Sequence, residues 1–467
     1  MRSQLTGEDQ KEVRRALVAL EGVSLLRGVL ESRVSKAVLT LLATLVPPEQ
    51  ESNNVARAYR EAFYELATAA NEDNRLAILP DTWQAYLVNH ILDDVNPWSN
   101  QAERTRSTGV SPTLIEQARR DLRALQYVFE LSAQSILQWT LDASDASLPG
   151  LASAWVPWTD LTTLNGTEET PTARAALCRQ MAECADWGEL VTPLTRYWAR
   201  FGTSDIARYH VLRWDGRSRT LQGVRYPDPI RLANLISYER EQHILSANIE
   251  RFLAGLPAHD VVLYGAPGTG KSSTVKALAN AYAEQGLRLI EVYKENLRDL
   301  PAIVVQLRGR APHFLLFIDD LSFEEHETEY KALKVLLEGT TESRPSNLLI
   351  HATTNRLNII RENFSDRGKP TEDAHWRDTM DEKGSLVARF GLRVTFISPD
   401  QQRYLTIARE LAHQRGIQHL SDEELSTRAL AWERQHAGRS GRTARQFVDD
   451  LQAELKLASH KDSGGVW

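Results

Sequence analysis

One stretch commits this chain to a strand, a tight turn and a helix in succession: Gly265-Ala266-Pro267-Gly268-Thr269-Gly270-Lys271-Ser272. An apolar run, Val261-Val262-Leu263-Tyr264, precedes it, and an Ala-rich helical pattern, Val275 to Tyr282, follows. Strand, G-x-x-x-x-G-K-S and helix in that order is the arrangement that holds nucleoside triphosphates. The glycines let successive backbone N–H groups curl inward toward phosphate oxygens, which Ala266, Pro267 and Thr269 accompany around the turn. Lys271 is expected to reach the β- and γ-phosphates and Ser272 to ligate Mg²⁺. The helix that continues through Ser273 aims its positive end at the anion. The motif alone implies ATP or GTP.

A chain of 467 residues exceeds one ordinary core, so two to three domains are expected. With 42% hydrophobic and 25% charged residues it has the make-up of a globular protein. The net charge of −7 argues against a wholesale electrostatic grip on nucleic acid. Cys178 and Cys184, six apart on one helical pattern, suit neither a zinc site nor a secreted disulfide framework. The polar, acidic start is unlike a signal peptide, and the most apolar stretch, 37–46, is too short to span a bilayer. The cytoplasm is the expected compartment, with no membrane partner.

The chain divides by texture. Residues 1–202 read as an all-helical interaction domain, with three- and four-residue spacing over 13–30, 34–45, 55–70, 114–141 and 173–187. Breaks fall at Pro47-Pro48, Asn96-Pro97, Pro149-Gly150 and Asn165-Gly166. Its seven tryptophans (83, 98, 139, 155, 158, 187 and 198) suggest a core or a docking face. Residues 203–230 contain two alternating runs around Asp215-Gly216, expected to form a hairpin linking the halves. Residues 231–398 alternate strands, at 261–264, 289–292, 314–318, 348–353 and 392–396, with helices. Residues 399–460 are helical again, and 461–467 form a tail.

The residues after the phosphate loop narrow the chemistry. Phe314-Leu315-Leu316-Phe317-Ile318-Asp319-Asp320 is an apolar strand ending in two carboxylates. An acid at that edge holds Mg²⁺, which makes Asp319 the metal residue. Asp320 is expected to orient the attacking water, with Glu324 or Glu325 as the alternative. Asn355, after the next strand, is either a turn residue or a contact to γ-phosphate and water. Arg389, before the last strand, either caps a helix or stabilises charge on a neighbour's γ-phosphate. Arg442 or Arg445, in the final helix, is placed to reach over the nucleotide, Arg442 being preferred.

Phosphate loop, Asp-Asp strand end, Asn after the fourth strand, Arg before the fifth and Arg in a C-terminal helical region occur in the order of the AAA+ ATPase superfamily. Leu235-Ile236-Ser237-Tyr238-Glu239-Arg240, Asp319-Asp320-Leu321-Ser322-Phe323-Glu324 and Ser440-Gly441-Arg442-Thr443-Ala444-Arg445-Gln446-Phe447 resemble a bacterial AAA+ family of unknown function. The resemblance implies a three-layer α/β core with a parallel sheet of order 5-1-4-3-2 and a C-terminal helical lid. It also implies ATP with Mg²⁺ between subunits of a homo-oligomeric ring or spiral, a hexamer among the options, and Ile236 and Tyr238 against the adenine. The aromatic–hydrophobic–Gly triplet of protein-threading rings is missing from 293–301.

The expected function is therefore an oligomeric ATPase that remodels or loads a protein partner recruited by the helical N-terminal domain. The alternative is a nucleotide-dependent DNA-binding loader, supported by the cluster Arg434, Arg439, Arg442 and Arg445. A small-molecule phosphotransferase ranks last, because no further polar pocket is legible.

Overall fold

A computed structural model describes residues 6–46, 52–105, 109–144, 155–162, 172–323, 329–338, 344–355, 386, 388–417, 420–436 and 438–462. The breaks at Pro47-Pro48, Pro149-Gly150 and Asn165-Gly166, together with Glu324 and Glu325, lie outside the described residues. The chain forms two compact units. One comprises Met1–Arg208 with Gly309–Ala311, the other Tyr209–Arg308 with Pro312–Trp467.

Helices are the regular structure of the first unit among its described residues, with one isolated β-bridge between Asp81 and Thr159. Side-chain caps set the helix starts: Asp81 accepts from the N–H groups of Trp83 and Gln84 at the head of Thr82–Asp93, and Ser132 caps Ala133–Ala143. The Asn96-Pro97 break is such a cap, the Asn96 carboxamide oxygen accepting from the N–H groups of Trp98 and Ser99 at 2.9 Å each. Trp83, Trp98, Trp158, Trp187 and Trp198 are fully buried in one core, Trp98 meeting Trp198 edge-on at 4.6 Å. These rings are interior packing, not a docking face. Cys178 is buried within Ala173–Glu183, whereas Cys184 falls just past the end of that helix, and both are free thiols.

Among the described residues, the second unit is a seven-stranded sheet with helices. Its strands are β1 (Val211–Asp215), β2 (Thr220–Gly223), β3 (Val261–Gly265), β4 (Leu287–Glu291), β5 (His313–Ile318), β6 (Leu348–Thr354) and β7 (Leu392–Phe396). They lie in the order β2-β1-β4-β5-β6-β3-β7. Numbering the last five strands from one, the core order is 5-1-4-3-2, all parallel. The hairpin expected within 203–230 is part of the sheet. β1 joins β4 in parallel, with Val211 opposite Leu289, and β2 closes the sheet antiparallel to β1. Two more strands thus extend the edge beyond the five expected.

β6 is buried at all seven positions, as a central parallel strand covered on both faces must be. The helices Glu239–Leu253 and Lys271–Tyr282 pack Leu245, Ile249, Val275 and Leu278 onto one face. After β7 the helices Gln401–Gln414, Asp422–Gln435 and Gly441–Asp462 form a separate small core around Tyr404, Leu411, Phe447 and Val448. This is the C-terminal lid, its last helix reaching two residues into the expected tail. Among the described residues, no helix is long and apolar enough to cross a membrane.

Candidate functional site: a phosphate cleft between sheet edge and lid

The carboxyl ends of β3, β5 and β6 converge on a cleft of about 440 Å³, the size class of small-molecule sites. The turn from β3 into Lys271–Tyr282 is drawn tight by backbone shapes that side chains resist. Gly268 and Gly270 have φ of +79° and +95°. A Cβ on Gly265 would come within 2.1 Å of the Phe396 carbonyl oxygen on β7. A Cβ on Gly268 would come within 2.9 Å of Ser440 Oγ and 3.3 Å of Arg442 Cβ, so the head of the last lid helix sits against the loop. The Arg442 N–H donates to the Gly268 carbonyl at 3.2 Å.

Lys271 is buried, and all three of its donors are engaged. Its Nζ donates to the carbonyls of Gly265 (2.7 Å) and Ala266 (2.9 Å) and to Asn355 Oδ1 (2.8 Å). Burial pushes its pKa below the usual lysine value, with Asp319 and Asp320 pulling the other way. Ser272 Oγ donates to Asp319 Oδ1 at 2.5 Å, so hydroxyl and carboxylate already converge as the hard oxygen donors a magnesium ion requires. Asn355 Nδ2 donates to Asp320 Oδ1 at 2.9 Å, completing a chain from Lys271 through Asn355 to Asp320. Positive potential from the Lys271 ammonium and from the N-terminus of Lys271–Tyr282 meets at the loop, where phosphate oxygens fit once Lys271 exchanges one of these acceptors for them.

The cleft collects Ile236, Tyr238, Pro267, Gly268, Thr269, Gly270, Lys271, Ser272, Ser273, Asp319, Asp320, Asn355 and Arg442 from the sequence reading. Gly265 and Ala266 stand behind the cleft wall, where their carbonyls hold Lys271. Tyr238 is mostly turned inward: its hydroxyl donates to the Ile397 carbonyl at 3.0 Å, and Arg403 stacks over its ring. Arg445 lines the cleft beside Arg442, so neither lid arginine is singled out by position. Arg389 does not line this cleft. Its guanidinium pairs with Glu338, Nε lying 2.7 Å from Oε1.

Sequence reasoning gave no site role to Asn234, Leu235, Ile407 and Leu411, which also line the cleft. It also gave no role to Thr353, a buried hydroxyl that donates to Asp319 Oδ1 at 2.5 Å and accepts from the Asp320 N–H at 2.9 Å. A threonine in a β-rich run looks like an ordinary strand former, and only its place at the strand's carboxyl end hinted otherwise.

A family model described as "Protein of unknown function (DUF815)" matches residues 207–455. The 26S proteasome regulatory subunit 4 homolog of Schizosaccharomyces pombe is 34% identical over 122 residues, a match spanning 22% of this chain and 27% of that protein. The RuvB Holliday junction branch migration motor of Thermotoga maritima superposes over 50% of this chain and 67% of its own, with TM-score 0.36 and 17% identity. A point variant of it gives the same TM-score at 18% identity. More than half of the chain answers to one family model, and the sheet order, loop and lid are those the superfamily implies: the protein belongs to the DUF815 family of the AAA+ superfamily.

Proposed function

We propose that this protein is an ATPase that binds ATP with Mg²⁺ in the cleft and hydrolyses it within a homo-oligomer. The work is applied to a protein partner recruited by the helical N-terminal unit. The observation carrying this reading is the convergence of Lys271, the Ser272–Asp319 pair, the Asp320–Asn355 pair and Arg442 in one cleft behind the phosphate loop.

Bound Mg²⁺, held through Ser272 and Asp319, would neutralise charge on the phosphates. Gly268, Thr269, Gly270 and Lys271 grip the triphosphate, and Ser273 adds its backbone N–H at the helix start. Ile236 and Tyr238, which line the cleft together with Ile407 and Leu411, would receive the base. Asp320, tied to Asn355, orients water for attack, and Asn355 senses the γ-phosphate through its bond to Lys271. Arg442 or Arg445 closes the lid over the phosphates. Arg389 serves a neighbouring subunit's γ-phosphate, a role consistent with its absence from the cleft of its own chain.

Of the arginine cluster that favours the DNA-binding alternative, Arg442 and Arg445 line the nucleotide cleft and Arg439 pairs with Glu433 at 3.3 Å. This lowers the support for a DNA surface there. The reading is tested by ATP turnover of the wild type against Lys271→Ala, which removes the phosphate contact. The proposal expects hydrolysis that Lys271→Ala abolishes. Turnover by Lys271→Ala at the wild-type rate would overturn it.

A further inference from the structure

We infer that Thr353 is a positioning residue of the ATPase site: its hydroxyl sets the backbone turn that aims the two aspartates. The inference rests on the ATPase reading above and deepens it.

The register of β5 and β6 carries the argument. Ile318 lies opposite Ala352, and the next bond along the ladder runs from the Leu321 N–H to the Thr353 carbonyl at 2.7 Å. Two residues, Asp319 and Asp320, are therefore accommodated opposite one, Thr353, as in a bulge. The excursion is absorbed at Asp320, which has a φ of +50°. That left-handed conformation is sparsely populated by residues other than Gly, and Asp and Asn tolerate it best. It persists only where surroundings over-determine it.

Thr353 supplies that determination from a buried position, its side chain facing the turn. The hydroxyl proton goes to Asp319 Oδ1 at 2.5 Å, and the same oxygen accepts the Asp320 N–H at 2.9 Å. The Asp320 N–H also lies 3.2 Å from Asp319 Oδ1. One oxygen thus fixes the carboxylate that meets Ser272 and the backbone of the carboxylate that meets Asn355. The turn suits aspartate at position 320, and it directs this short side chain toward Asn355.

Thr353→Val keeps the shape and removes both hydrogen bonds, whereas Thr353→Ser keeps the hydroxyl. ATP binding, by displacement of a fluorescent ATP analogue, and steady-state turnover are measured for both beside the wild type and Lys271→Ala. Removal of a residue that orients a ligating group typically costs about 10- to 100-fold. Thr353→Val is expected to lose kcat on that scale while its ATP affinity stays within about threefold of wild type, a split that marks loss of transition-state alignment. Thr353→Ser is expected to restore turnover. Wild-type kcat in Thr353→Val, or equal losses in Val and Ser, would overturn the inference. So would loss of ATP binding in step with turnover. If instead the wild type turns over no faster than Lys271→Ala, the ATPase reading itself fails.

Discussion

His351 sits in mid-β6, fully buried, in register with Val261 on one side and Phe317 on the other. Among the described residues neither ring nitrogen has a hydrogen-bond partner. Burial pushes its pKa down to about 3 from an ordinary value near 6.5. The folded protein therefore holds a neutral imidazole, and below the ordinary value only the unfolded chain takes up the proton. Its contribution is intact above pH 6.5 and is lost as pH falls toward 3, at up to about 1.4 kcal/mol per pH unit. His351→Leu is expected to flatten the acid limb of a stability–pH profile measured by urea unfolding between pH 4 and 7. An unchanged acid slope in that variant would contradict the assignment.

At the scale of elements, the helical unit is tied by one carboxylate. Asp93, at the end of Thr82–Asp93, meets Arg174 Nη1 at 2.8 Å and Arg208 Nε at 2.6 Å. Those partners come from Ala173–Glu183 and Ser204–Arg208, and Arg174 also bonds Asn89 Oδ1 at 2.9 Å. Burial tends to raise the pKa of Asp93, but the two guanidinium groups outweigh it and hold the carboxyl below its usual range. Removing one partner of a buried pair leaves a poorly compensated charge, which typically costs about 3–5 kcal/mol. Arg174→Met should therefore shift the urea midpoint followed by tryptophan fluorescence, which this tryptophan-rich unit dominates, to markedly lower denaturant. An unmoved midpoint would show that the staple is not needed.

Much of the second unit was legible because its signals are local. Each core strand is a short apolar run beside a Gly, Pro or acidic turn, and the glycine pattern located the phosphate loop. Thr82–Asp93 left no amphipathic stripe because it is buried nearly all round, including Trp83, Val88, Asn89 and Asp93. The pattern over 114–141 divides into Pro112–Phe129 and Ala133–Ala143, since the Ser132 cap interrupts an apolar spacing that continues across it. The hairpin was recognised from Asp215-Gly216, but its pairing with β4 joins residues far apart in sequence, which periodicity does not record. The same distance hid the Arg389–Glu338 pair and the double role of Thr353.

At the scale of the whole molecule, the proposed shared site would draw its chemistry from two chains: loop, Asp319, Asp320 and Asn355 from one, Arg389 from another. In the folded chain Arg389 is held by Glu338, so delivering it to a neighbour means exchanging one anion for another. Glu338→Gln weakens that hold and is expected to raise ATP turnover per subunit by about two- to fivefold, the scale of roughly 0.5–1 kcal/mol for a partly exposed pair. Turnover equal to or below wild type would argue that the pair does not restrain the arginine.

Complementation between two inactive variants is the most direct test. Lys271→Ala cannot grip ATP yet still carries Arg389, whereas Arg389→Ala grips ATP yet has no arginine to offer. Each alone should be nearly inactive, and mixing the two proteins should restore ATP hydrolysis at junctions that combine an intact cleft with an intact arginine. Wild-type turnover by Arg389→Ala alone, or no recovery in mixtures shown to co-assemble, would contradict hydrolysis at a shared site.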